Sequence, residues 1–426
     1  MDKLYISEKK SIYQGIGDLH LLLVLPVMLF LLAFIVGTPK EIWQGLIKIV
    51  LSPAVLITDF ISIGGLGATF INVALISFIN IYILKKTKTH INGGVIAAFF
   101  TIMGFAFFGE NIFNIWAIYL GGVLHARYHH VHYRSIILSL MMGTGLSPFI
   151  SIVAFYFELP LLISFPLSYL VGIAIGFVLP TIASSLLRAH DGYNLYNVGF
   201  SGSILALIAV SILRAFNINI VEASNNVANQ YDGILLLVFA IFFIFLLLLG
   251  LYINYNSGNK YSSIFAFPGR LVTDFTMLVG FGITYINMGL MGLISLVYVH
   301  LVGGRLNGPV MGGVLAVVGF SAFGKQPKNT IPIFIGVALA NLLNIWDHDA
   351  TTQVMAGLFG TTLAPIAGAF GILPGIIAGF VHSAVVMNVG YLHAGVALHN
   401  NGLAGGLVAA VLVPIFRSFN KDRRDI

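Results

Sequence analysis

LITDFISIGGLGATFIN occupies residues 56–72, and LVTDFTMLVGFGITYIN occupies residues 271–287. The likeness runs on without a gap: residues 56–109 align to 271–324 at an offset of 215, with 18 identities in 54 positions. Among them are the polar pairs Thr58/Thr273, Asp59/Asp274, Asn72/Asn287 and Asn92/Asn307. Shared apolar composition produces matches of Leu and Ile, not that polar set. Farther along, GTGLSP (143–148) matches GTTLAP (360–365), and HDGYNLYNVGFSG (190–202) matches HAGVALHNNGLAG (393–405). The last match keeps His190/His393 and Asn197/Asn400. The chain reads as one module written twice, over 1–213 and 214–426.

Composition says where such a module lives. Of 426 residues 58% are hydrophobic and 8% charged, against about a quarter charged in soluble domains. An ordinary water-soluble enzyme is thereby excluded, and the pattern is that of an integral membrane protein. There is no cysteine, which removes disulfides, thiolate metal sites and cysteine nucleophiles. The net charge of +6 is spread over short loops, so it orients a membrane protein and does not mark a nucleic-acid face. No phosphate loop, zinc-protease motif or nucleophile elbow is present. We therefore expect neither enzyme activity nor a bound cofactor. The first 20 residues are polar and lack a signal peptide's cleavage pattern, so the first apolar run is expected to be a retained span.

Long continuous apolar runs predict an all-α bundle and contradict a barrel of alternating strands. Between the first and second runs of each module lie LSPAVLITDFISIGGLG (51–67) and FPGRLVTDFTMLVGFG (267–282). Each begins at Pro and ends at Gly, as a half-helix of ten to twelve residues would. If both are re-entrant, each module crosses seven times, and the second copy is upside down. Fourteen spans and two re-entrant half-helices are the expected architecture. Cytoplasmic termini then follow from the positive-inside rule. The loops 85–90 and 127–134 and GKQPK (324–328) lie inside, and Arg305 and the acidic turn 346–349 lie outside.

Inverted repeats with interrupted helices place binding sites at the repeat interface near the bilayer midplane. Asp59 and Asp274 stand within the half-helices, and ionisable side chains at membrane depth point to function by default. Each binds a cation or carries a proton, or else caps its half-helix. Thr58 and Thr273 beside them offer hydroxyls to a solute or to helix packing. Asn72 and Asn287 suit a small polar solute or a partly dehydrated cation, and equally suit interhelical bonding. His190 and His393, with Asn197 and Asn400 two turns on, are candidates for a relay or gate. Asn92 and Asn307 read as helix caps. The Pro-bearing GTGLSP and GTTLAP stretches predict a second break in each module. His125 and His129 stand at a zinc-ligand spacing, but the second module lacks them, so a basic loop is the better reading.

The TDF triplets (58–60, 273–275), the INGG and LNGP turns and the NxGxxG ends at 197–202 and 400–405 resemble a duplicated family of bacterial multi-pass membrane proteins of unknown function. That resemblance spans nearly the whole chain and implies a plasma-membrane location. More loosely, the Gly-rich, Asn-bearing inverted repeat looks like urea-transporter-like channels, which implies a small neutral solute. The expected function is transport of a small polar or ionic solute, coupled to Na+ or H+. A passive channel for a neutral solute and a non-transporting scaffold are the alternatives. The expected partners are the lipid bilayer, the solute and the coupling ion, with no nucleic acid. A homo-oligomer is compatible with the pattern.

Overall fold

The structure, a computed structural model, describes residues 21–220, 226–255, 257–343 and 351–419. Both termini, expected to be cytoplasmic, and the turn 346–349 lie outside the described residues. The described residues are helical, with no strand. Among the described residues eight helices are long and apolar enough to cross a membrane, or ten if two bent pairs each count as one span. Fourteen spans were expected, and the difference has two sources. Some apolar runs are broken, as at Leu21–Val36 and Pro39–Leu51, which meet at 117°. The second of these starts at a capping box, in which Thr38 and Glu41 exchange hydrogen bonds ahead of Pro39, so a new helix begins where the chain turns. Other runs are short, as in Gly93–Phe105 and Gly308–Phe320, with 13 residues each. At 1.5 Å per residue each covers about 20 Å, less than a hydrocarbon core.

Those two short helices form the centre of the molecule. Each is capped as expected, by Asn92 accepting from Val95 N–H and Asn307 from Val310 N–H. Every residue in both is buried. They pack against each other head to tail. A Cβ on Gly308, at the start of one, would stand 2.6 Å from the Phe107 carbonyl at the end of the other. Equally, a Cβ on Gly93 would stand 2.3 Å from the Ala322 carbonyl. Toward the Gly308 end, Gly104 lies so close to Gly312 that an added Cβ would approach its carbonyl to 2.7 Å. Only glycine permits this backbone contact.

The surrounding helices pair in matching ways. Trp116–Tyr128 packs on Leu161–Leu186, and Pro327–Leu343, its counterpart, on Ile372–Val389. The last helices of the two modules, Asn197–Ala215 and Asn400–Phe419, pack on each other. They cross where Gly402 meets Gly199, its own counterpart. Here residues that match in the sequence touch each other across the two halves.

The half-helices are shorter than expected. Helix occupies only Phe60–Gly64 and Phe275–Leu278, with non-helical chain at 53–59 and 267–274. Ala54 and Ile57 have φ of 55° and 69°, which a right-handed helix cannot accept. Asp59 and Asp274 are therefore not inside the half-helices but at their N-caps. Gly65 and Gly280, with φ of 83° and 85°, end the elements.

Candidate functional site

Each central helix runs into a chain break, and the two breaks are built alike. Asn72 donates from Nδ2 to the carbonyls of Ala106 and Glu110, both at 2.8 Å. Asn287 does the same to Ser321 and Lys325, at 2.7 and 2.8 Å. A second amide closes each loop: Asn114 donates to the Gly109 carbonyl and Asn329 to that of Gly324. These bonds satisfy carbonyls that the helix end leaves free. Non-helical backbone is thus held inside the protein.

At corresponding places on the two breaks stand Glu110 and Lys325, both 0% exposed. Glu110 accepts at Oε1 from the Thr144 hydroxyl, 2.7 Å away, while its buried Oε2 has no partner. The Lys325 Nζ donates to Thr361 Oγ1 and to the Tyr196 hydroxyl, each at 2.6 Å. It also lies 4.6 Å from the centre of the Tyr196 ring and 5.3 Å from that of Phe320. Neither side chain forms a salt bridge among the described residues. Thr144 and Thr361 open the 3-10 turns Thr144–Leu146 and Thr361–Leu363, which interrupt their helices. These are the breaks expected from the GTGLSP and GTTLAP stretches, and the first bends its helix by 45°.

Each half also docks on the turn of the other. The loop before the last helix of the first module docks on the second module's 3-10 turn, through Leu195 N–H to the Thr362 carbonyl and Tyr196 N–H to Thr362 Oγ1. The counterpart loop docks on the first module through Leu398 N–H to the Gly145 carbonyl, and His399 bonds the Met142 carbonyl. Tyr196 and His399 occupy matching positions. Each meets the last residue of a central helix edge to face: Tyr196 on Phe320 and His399 on Phe105, both with ring centres 4.7 Å apart. Phe359 joins the two pairs, 6.2 Å from both Phe105 and Tyr196. These rings form one aromatic cluster at the ends of the two central helices.

The side chains singled out in the sequence lie around this centre. Asp59 accepts from Ile61 N–H at 2.9 Å and from Ala228 N–H at 2.7 Å, and rests against Gly308. Asp274 accepts from Gly93 N–H at both oxygens, at 3.1 and 3.0 Å, and from Thr276. Each carboxylate thus caps its own half-helix and meets the first turn of the other module's central helix, where the helix dipole favours an anion. Thr273 bonds the Arg270 carbonyl, whereas the buried Thr58 hydroxyl has no partner. His190 bonds Asn197 and His393 bonds Asn400, both at 3.0 Å. In both imidazoles the buried Nδ1 is unpartnered. Asn197 also lines a cavity of about 460 Å³ with His125, His129 and Ser135. Among the described residues no three His, Asp or Glu side chains are grouped to hold a metal.

Sequence reasoning missed Glu110 and placed Lys325 in a cytoplasmic loop. In the structure Lys325 is fully buried and not exposed in a loop. The signal was available, since 110 and 325 are the next pair at the offset of 215. An acid opposite a base ends a run of identities, so identity alone does not reach this pair.

Together these features define a multi-pass, all-helical membrane protein with interlocked halves. The chain belongs to the family described as "Protein of unknown function (DUF1576)", whose pattern matches residues 38–215 and 253–418. No curated protein and no solved structure matches it.

Proposed function

We propose that the protein is a secondary transporter built from two inverted repeats, moving a small polar or ionic solute through the interface between them with coupling to an ion. The observation that carries this reading is the head-to-tail pair of central helices, each ending at a buried ionisable side chain. Counterpart helices that run antiparallel are what an axis in the membrane plane generates; an axis along the membrane normal would leave them parallel. Buried, unpaired ionisable groups are costly in a membrane protein and are maintained at substrate or ion pathways. Phe105, Phe359 and Phe320 form the closed barrier, and Glu110 and Lys325 are the stations on its two sides.

In this reading Asn72 and Asn287 hold the breaks in shape, because their amide donors are spent on backbone carbonyls. Asp59 and Asp274 fasten one repeat to the other. His190 and His393 border the pathway. The lipid bilayer is the plasma membrane, with both termini cytoplasmic.

The test is solute uptake by the purified full chain in proteoliposomes, using a panel of labelled small polar solutes and ions with imposed H+ or Na+ gradients. Gradient-driven accumulation of at least one solute is expected, and a loss of tenfold or more in Glu110→Gln combined with Lys325→Met. Swelling by neutral solutes that ignores both gradients and both substitutions would replace the transporter with a passive channel. Absence of any flux above protein-free liposomes would sink transport altogether.

A further inference from the structure

Glu110 and Lys325 are counterparts with opposite chemistry, and that asymmetry bears on what is carried. An ammonium has three donors. Two of Lys325's are taken by the hydroxyls of Thr361 and Tyr196. The third has no protein acceptor among the described residues, and no carboxylate is paired with it. A lysine buried in this way either gives up its proton or, kept as an ammonium, is completed by an anion. The ring faces of Tyr196 and Phe320 cover the Nζ on their sides, 4.6 and 5.3 Å from their centres, so a ligand reaches it only past the two hydroxyls. The other station is the reverse case. Its Oε2 is buried and finds no donor, which suits a carboxyl group carrying a proton, not a carboxylate. The titratable side chains about Glu110 are Tyr119, whose hydroxyl donates to Asn80, and His399, packed on Gly145 beside Thr144. Neither supplies a hydrogen bond to Oε2.

We propose that the Lys325 station, with Thr361 and Tyr196, binds a small monovalent anion, and that Glu110 carries one proton with each anion moved. The proposal rests on the transporter reading and gives it a substrate class. One anion and one proton cross together, no covalent bond is made or broken, and net charge movement is zero. Thr144 and Thr361 play matching parts. The first donates its hydroxyl to the proton carrier, and the second accepts from the anion-binding ammonium. The stations differ in a single pair of residues, so a symmetric scaffold serves two unlike ligands.

Binding and transport are tested separately. Thermal unfolding of the purified full chain is followed in chloride, nitrate, formate or lactate, with gluconate as the bulky control, at fixed ionic strength. At least one of the four is expected to raise Tm by about 2 °C or more, saturably, in the wild type. Glu110→Gln retains this rise, and Lys325→Met and Lys325→Gln lose it. In proteoliposomes holding a trapped pH dye, an inward gradient of the stabilising anion should acidify the lumen. Lys325→Met abolishes acidification, and Glu110→Gln reduces it at least tenfold while anion binding survives. Lack of a saturable rise with any of the four anions, or an equal rise in both Lys325 variants, overturns the anion site whether or not the protein transports. Saturable binding without any flux overturns the transporter reading instead. Anion flux without proton movement overturns the part given to Glu110.

Discussion

At Asp59 and Asp274 one carboxylate serves two helix starts. Asp59 Oδ1 caps the half-helix through Ile61 N–H, and Oδ2 accepts from Ala228 N–H in the other module. Asn in its place keeps one acceptor and turns an NH2 toward a second donor. Leaving a buried donor unsatisfied costs about 1–3 kcal/mol. Asp59→Asn and Asp274→Asn should therefore each lower the unfolding temperature in detergent, while flux per folded molecule changes little. An unchanged melting temperature together with lost flux would instead put a transported cation at these carboxylates. Buried Lys325 predicts the reverse behaviour. It leaves an ammonium without a counter-ion, so replacing it with apolar Met of similar length should leave stability unchanged or raise it. A fall in Tm of Lys325→Met, measured without added small anions, would show that its two hydroxyl bonds outweigh its desolvation.

Among the elements, the central helices depend on backbone contact. The carbonyl of Gly312 would lie 2.7 Å from a Cβ on Gly104, and Gly312 belongs to a helix with no exposed residue. Gly104→Ala must push the pair apart, and overpacking of this kind costs about 1–3 kcal/mol. Gly233 is the control, since a Cβ there meets nothing within 4 Å; Gly233→Ala should shift stability by less than about 0.5 kcal/mol. Thermal unfolding of the two variants decides. Equal melting temperatures would mean that the central pair is looser than its geometry requires. This pair was partly legible in the sequence. The repeated Asn92 and Asn307 announced its caps, and GTGLSP with GTTLAP announced the breaks beside it. Its shortness was not legible, because the apolar run continues past Phe105 to Phe108 while the helix stops. The half-helices were overestimated for a related reason: periodicity does not reveal the positive φ at Ala54 and Ile57. Glu110 and Lys325 are hidden from identity, because a pair of opposite charge breaks the match between the halves.

For the whole molecule, the proposed inversion of the repeats has a consequence that labelling can read. His90 and Arg305 are counterparts at the offset of 215, and both are exposed in the loops before the central helices. An axis in the membrane plane puts counterpart loops on opposite sides of the bilayer, whereas an axis along the normal puts them on the same side. The loop 85–90 carries Lys85, Lys86 and Lys88, which favours the cytoplasmic side for His90. Arg305 is held by Asp232, 3.3 Å away, so its loop carries a neutralised charge and can face outward. The chain has no cysteine, so a single Cys at either place reports alone. In intact cells a membrane-impermeant thiol reagent should label Arg305→Cys and leave His90→Cys untouched until the membrane is opened. Labelling of both from one side would make the repeats parallel. The antiparallel contact of Gly93–Phe105 with Gly308–Phe320 would then require those helices to lie along the membrane, where two buried 13-residue elements could not form a barrier across it.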